Sequence, residues 1–182
     1  MKSLVRHFAV AIFCAATLGA PVVAQTVTID YDHSVDFLKF KTYTWGKIHA
    51  TNPDVESRLT LAANRDMKGR YMTEVAKDSD VTLAAVVATQ DKQEVSTFYD
   101  SLGDFPWQRT WGSSGFLDSQ ATLSDVPLYT LVLDMYDTKS HKLLWRGTIT
   151  VPAADATSKE ADQKFDKAIT QLIGKYPPKF KK

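Results

Sequence analysis

The 182-residue sequence predicts an α+β fold, an antiparallel or mixed β-sheet with two helices packed on one face. Three observations carry that expectation. Residues 27–32 alternate apolar and polar side chains, the period of a half-buried strand. Two segments, 55–67 and 161–173, repeat their apolar residues at helical spacing between start and stop signals. Two strand-like runs, 128–137 and 142–151, flank a polar turn and can be paired so that like faces like throughout.

The first 24 residues read as an address. Lys2 and Arg6 make a positive start, and residues 8–18 form an eleven-residue apolar run. Gly19 and Pro21 break that run, and Val22-Val23-Ala24 offers small residues at a cleavage point. This is the pattern of a secretory signal peptide cut between Ala24 and Gln25. Eleven residues rise only about 16 Å as a helix, short of a hydrocarbon core of about 30 Å. Cys14 follows Phe13 inside the apolar run instead of a small residue at the cut, which argues against a lipoprotein. Processing would leave 158 residues, 25–182, as one domain. Lys2 and Arg6 would leave with the leader, so 22 basic residues fall to 20 against 21 acidic ones. A charge near zero supplies no field for nucleic acid. Without Cys14 the chain has no disulfide, thiolate nucleophile or Cys-ligated metal. No other apolar window is long enough for a membrane-spanning helix.

Val27, Ile29 and Tyr31 define one face of the first strand, and Thr28, Asp30 and Asp32 the other. The aromatic-rich stretch 37–45 predicts a second strand or extended segment ending at Gly46. Asn52-Pro53-Asp54 is a helix start: a capping side chain, Pro in the first turn and an acid near the positive end of the dipole. Val55, Leu59, Ala62, Ala63 and Met67 follow as its stripe, with an end expected between Gly69 and Tyr71. Residues 81–89 are a continuous apolar run rich in β-branched side chains, the mark of a buried central strand; residues 94–99 could pair with it.

Residues 102–116 break every period, with Gly103, Pro106, Gly112 and Gly115 among four aromatic residues. A loop of this length in a compact domain is often functional. The hairpin after it is predicted with paired numbers summing to 280 and a three-residue loop, Lys139-Ser140-His141. One face then holds Tyr129–Val151, Leu131–Ile149, Leu133–Gly147 and Met135–Trp145. The other holds Thr130–Thr150, Val132–Thr148, Asp134–Arg146 and Tyr136–Leu144, so that an acid meets a base directly across. Thr157-Ser158-Lys159-Glu160 forms a capping box for the last helix. Ala161, Phe165, Ala168, Ile169, Leu172 and Ile173 form its stripe, and Gly174 with Pro177-Pro178 stops it.

Several of these motifs occur together in one family. The opening V-x-I-D-Y-D and F-L-K-F-K-T-Y-T-W, then S-T-F-Y-D-S-L-G at 96–103, L-V-L-D-M-Y-D-T-K-S-H-K-L-L-W-R-G at 131–147 and K-Y-P-P at 175–178 resemble the secreted bacterial family called domain of unknown function 4136. The resemblance spans nearly all of the chain after the leader. It implies an exported α+β domain of the cell envelope and supplies no catalytic residues. The chain departs from the family at 67–72, where relatives usually place a Lys-Gly-aromatic step, and in lacking a lipoprotein cysteine.

Three histidines follow the leader, His33, His49 and His141, and no G-x-S-x-G elbow accompanies them. Asp30, Asp32 and His33 could offer metal ligands, but the EF-hand spacing and the H-E-x-x-H motif are absent. Hydrogen bonding at the strand end, with a cap on the turn at Ser34, is the plainer role. No catalytic residue, metal ligand or cofactor is therefore assigned. The candidate ligand-binding residues are Phe105, Trp107, Arg109 and Trp111, aromatic rings around one cation that suit a glycan, a peptide or an apolar ligand. The alternative for them is a lid folded onto the core. The sequence favours a non-enzymatic binding or structural protein of the envelope, with an envelope protein, a glycan or an apolar ligand as partner. The alternative, an envelope hydrolase using carboxylates or a metal, would need Asp30, Asp32 or Glu160 to converge with a histidine. A third reading is an assembly subunit that adds a sheet edge to a partner.

Overall fold

The computed structural model describes residues 26–50, 52–89, 128–152 and 159–177. Asn52 starts the first helix from an extended backbone, and its side chain accepts the Val55 N–H at 3.0 Å. That satisfies one of the donors every helix leaves open at its start. With Pro53 in the first turn, α1 runs Pro53–Lys68 and buries Leu59, Ala62, Ala63 and Met67. It ends where the sequence places its end. Gly69 caps it in right-handed conformation, and the turn to a left-handed backbone comes at Tyr71, φ 61°.

The strands are β1 (Thr26–Tyr31), β2 (Thr42–His49), β3 (Thr73–Glu74), β4 (Val81–Thr89), β5 (Leu128–Asp137) and β6 (Leu143–Pro152). The last helix, α2, spans Lys159–Ile173. Among the described residues the six strands form one sheet in the order β1-β6-β5-β4-β2-β3. β4 is antiparallel to β5 and parallel to β2, so the sheet is mixed and the fold is α+β as expected. The parallel pair is joined through α1, the connection such pairs require.

Odd-numbered residues of β4, β5 and β6, from Leu83 and Ala85 to Leu133, Met135 and Trp145, share one core with Leu59 and Met67 of α1 and with Ile169 and Leu172 of α2. Both helices thus cover the same face. They run in the same direction: Arg58 meets Asp162 and Asp166, Asp66 meets Thr170, and Arg70 reaches the Gly174 carbonyl. The other face of the central strands is buried as well, at Ala84, Val86, Val132, Tyr136 and Leu143. Burial on both faces explains why β4 reads as an unbroken apolar run.

Two local expectations are corrected. Residues 37–39 form a turn of 3₁₀ helix capped by Asp36, whose side chain accepts the Leu38 N–H at 3.0 Å. The strand therefore begins only at Thr42, and it passes Gly46 to His49 with an irregularity between Trp45 and Ile48. In the hairpin, seven pairs from Tyr129–Val151 to Met135–Trp145 keep the predicted register. Tyr136 then faces Leu143, where Leu144 was expected, because a bulge shifts the register by one. The loop grows to residues 138–141, closed by Asp137 N–H to the Lys142 carbonyl at 2.9 Å, with His141 at φ 56°. Residues 94–99 and the capping residues Thr157 and Ser158 lie outside the described residues.

The end of the sheet holding this loop is fastened by three carboxylates. Asp80 accepts the N–H groups of Lys41 and Thr42 at 2.8 and 2.9 Å. Asp137 accepts Ser140 N–H at 2.8 Å. Asp32 accepts Ser34 N–H at 2.9 Å and pairs with Lys142. The Lys142 ammonium, and then the Ser34 hydroxyl, hold the Asp32 carboxyl down to about 2. The backbone donors of Lys41 and Ser140 lower Asp80 and Asp137. Each folded value lies below that of the unfolded chain, near 4. These carboxylates therefore add stability that is present above pH ~4 and lost as pH falls through the folded values.

Two predictions follow from this packing. A Cβ at Gly147 would stand 2.3 Å from the Trp145 ring and 2.6 Å from Leu172. Gly147→Ala should cost about 1–3 kcal/mol by overpacking, read as a lowered urea midpoint. Asp32→Asn should lower the thermal midpoint at pH 7, and its gap from wild type should close between about pH 4 and pH 2. A gap unchanged across that window would remove Asp32 from the acid-labile set.

Candidate functional site

One buried group in the sheet is charged. Alternation along β5 and β6 places Asp134 and Arg146 directly opposite each other on the face away from the helices. Arg146 donates through Nε and a terminal nitrogen to the two Asp134 oxygens, each at 2.7 Å. This planar fork is the strongest geometry available to a guanidinium and a carboxylate. The Asp134 side chain is only 2% exposed and that of Arg146 13%. The Tyr136 hydroxyl donates to Asp134 at 3.1 Å from two residues along the same strand. Burial, and then the Asp134 charge, push the Tyr136 hydroxyl well above its ordinary range, so it remains a donor at neutral pH. Asp30 of β1 stands across from Arg146 on its other side. The sheet thus carries a row Asp30–Arg146–Asp134–Ala84 across four strands.

A second polar hub sits on the helix face. Asn64 of α1 accepts both the Tyr43 hydroxyl and the Trp45 indole N–H at 2.8 Å, and its amide donates to Glu74 at 2.8 Å. Burial, with the Glu74 charge behind it, pushes Tyr43 up to about 12. This hub ties β2 and β3 to the helix above them. No sequence pattern signals it, because Asn64 lies 21 residues from Tyr43 and 10 from Glu74.

The residues the sequence singled out fall as follows. Asp32 and His33 follow β1, and Asp32 caps the turn at Ser34 as the plainer reading expects. The His33 ring packs against Tyr31, with centroids 4.3 Å apart. Asp30 turns back to accept the N–H of Tyr31 at 2.9 Å. Among the described residues no three His, Cys, Asp or Glu side chains are grouped as a metal site. Trp145 is buried and Trp45 is packed against the core. Phe105, Trp107, Arg109 and Trp111 lie outside the described residues.

Chemically, a guanidinium clamped by a carboxylate cannot shuttle protons, because arginine stays charged. The geometry suits orientation: it fixes which residues of β5 and β6 face each other. Asp134→Ala would remove the carboxylate of the buried fork and should cost about 3–5 kcal/mol. Asp134→Leu combined with Arg146→Met should recover most of that loss in denaturant unfolding, since the pair is replaced by apolar groups of similar size.

No helix among the described residues is long and apolar enough to cross a membrane. No curated protein is significantly similar in sequence. Among solved structures, a PDZ domain protein from Parabacteroides distasonis superposes with a TM-score of 0.55 at 15% identity, over 85% of this chain and 35% of that one. The likeness is one of fold. A PelC dodecamer from Paraburkholderia phytofirmans gives a TM-score of 0.49 at 10% identity, over 82% of this chain and 95% of that one. A minor lipoprotein from Acinetobacter baumannii gives 0.30 at 10% identity, over 75% and 87%. A family model, in contrast, matches residues 27–178, from the first strand to the last turn. The chain belongs to the family described as domain of unknown function DUF4136.

Proposed function

We propose that this chain is an exported, non-enzymatic domain of the cell envelope that binds or scaffolds a partner. The observation that carries the reading is the employment of its carboxylates. Asp134 holds Arg146, Asp80 holds the backbone of Lys41 and Thr42, Asp137 holds the hairpin loop, and Asp32 holds Ser34 and Lys142. General acid–base chemistry needs a carboxyl group within reach of a substrate proton. These four are engaged in fastening backbone or a neighbouring side chain. The first 24 residues support export, and the aromatic stretch with Phe105, Trp107, Arg109 and Trp111 supplies the contact surface for a glycan, a peptide or an apolar ligand.

Two measurements test this. Protein recovered from the periplasm should begin at Gln25 by mass spectrometry. A chain found only in the cytoplasm with residues 1–24 attached would end the export reading. Trp107→Ala/Trp111→Ala should lose the partner captured by wild type from envelope extract while keeping its circular dichroism spectrum. Unchanged capture by a folded double variant would discard the aromatic stretch as the contact surface.

A further inference from the structure

We infer that Trp45, Asn64 and Glu74, with Tyr71 from the turn that leads to Glu74, form a site for a cationic side chain, the guanidinium or ammonium of an Arg or Lys presented by a partner protein. This rests on the binding reading above and adds a second surface to it, with the chemistry of the group that the surface takes.

Tyr43 of β2 and Glu74 of β3 are direct partners in the sheet, and Trp45 follows Tyr43 on the same face of β2. Asn64 of α1 joins them from above. Its oxygen accepts the Trp45 indole N–H at 2.8 Å, and its nitrogen donates to the Glu74 carboxylate at 2.8 Å. One amide thus holds the ring and the carboxylate on either side of itself. The Tyr43 hydroxyl fills the other acceptor position of Asn64 at 2.8 Å, and the Tyr43 ring stands perpendicular to Trp45 with centroids 6.4 Å apart. Ring and carboxylate are therefore fixed before a ligand arrives, which spares the ordering cost of binding. Burial falls away outward: Tyr43 is buried, Trp45 and Asn64 are half-buried, and Glu74 is exposed.

The site carries a charge that its neighbours leave unmatched. The ion pairs among the described residues all use aspartates, and none of them involves Glu74. The hydrogen bond to its carboxylate among the described residues comes from a neutral amide. An indole is the best aromatic partner for a cation, and a carboxylate adds a charge-assisted hydrogen bond. The indole N–H is already taken by Asn64, so the ring offers its π electrons and no donor. An anion would meet the Glu74 charge, and an apolar group would strip water from it without replacing the hydrogen bonds. Tyr71 precedes Glu74 by three residues, is 86% exposed and is held at φ 61°. That backbone conformation is unfavourable for any residue with a Cβ and suits glycine. Packing within the domain does not account for an exposed ring kept there; contact with a partner does. Tyr and Trp, with Arg, also dominate the energetics of protein interfaces, which favours a protein as the source of the cation.

An NMR titration of the full processed protein tests the inference. The probes are the blocked tripeptides acetyl-Gly-Arg-Gly-amide and acetyl-Gly-Lys-Gly-amide, with acetyl-Gly-Glu-Gly-amide as control. The indole N–H signal of Trp45, identified by its loss in Trp45→Phe, should move with the basic peptides at a Kd of about a millimolar. It should stay in place with the acidic peptide, and rising salt should weaken the response. Glu74→Gln keeps an acceptor for Asn64 and removes the charge. It should weaken binding about tenfold with an unchanged circular dichroism spectrum. Tyr71→Gly should weaken binding about threefold while holding or raising the thermal midpoint. A Trp45 signal that ignores the basic peptides overturns the inference. So does a folded Glu74→Gln variant that binds them as well as wild type. The capture experiment on Trp107 and Trp111 reads a different surface, so its result stands whichever way the titration falls.

Discussion

A one-residue slip between β5 and β6 would carry Arg146 onto the helix face and Trp145 onto the other. Neither residue could stay there. Arg146 would enter an apolar core without a carboxylate, at a cost of several kcal/mol. Trp145, the largest fully buried side chain among the described residues, would lose its place beside Tyr176. The Asp134–Arg146 fork and the Trp145 ring therefore specify the same register from opposite faces of one hairpin. β1 inherits it through β6, and β4 through β5, since both pair along most of their length without interruption.

Gly147 shows how far that register reaches. It lies two residues beyond Trp145 on the helix face, opposite Leu133 and Ile29. The absent side chain makes room for the Trp145 ring to lean along the strand and for Leu172 of α2 to press down beside it. The Trp-Arg-Gly triplet is thus one device: an anchor for the core, a clamp for the other face, and a seat for the helix. With α2 seated, its partners on α1 follow from parallel packing, from Arg58 with Asp162 at the start to Arg70 with Gly174 at the end.

What could be read from the sequence was what obeys a short period. The α1 cap, the stripe Leu59-Ala62-Ala63-Met67 and the hairpin register are local patterns whose physical causes lie within a few residues. The Asp134–Arg146 pair was legible because cross-strand geometry turns a sum of residue numbers into a contact. The bulge at Leu144 was not, since either Leu143 or Leu144 is apolar enough to face Tyr136. Residues 37–39 misled because aromatic content suits a strand, while the cap at Asp36 and the burial of Phe37 against Tyr176 favour a turn. The Asn64 hub was invisible, because it forms only once α1 lies over β2. The aromatic residues 105–111 stand where the sequence left them, as a contact surface proposed from composition and spacing.

The carboxylates at the hairpin end complete the account of how this sheet holds without a disulfide after residue 14. Asp80 ties the start of β2 to the start of β4, Asp137 closes the loop after β5, and Asp32 reaches Lys142 at the start of β6. Ser79, Thr82 and Thr138 add hydroxyl contacts at 3.0–3.1 Å between the same segments. Covalent staples act chiefly on the unfolded chain. These contacts act on the folded one, and they depend on charge. This end of the sheet therefore owes part of its stability to charges that are lost as pH falls below about 4. At the opposite end of the strands the chain leaves β4 at Thr89 and returns into β5 at Leu128, far from the fastened hairpin end.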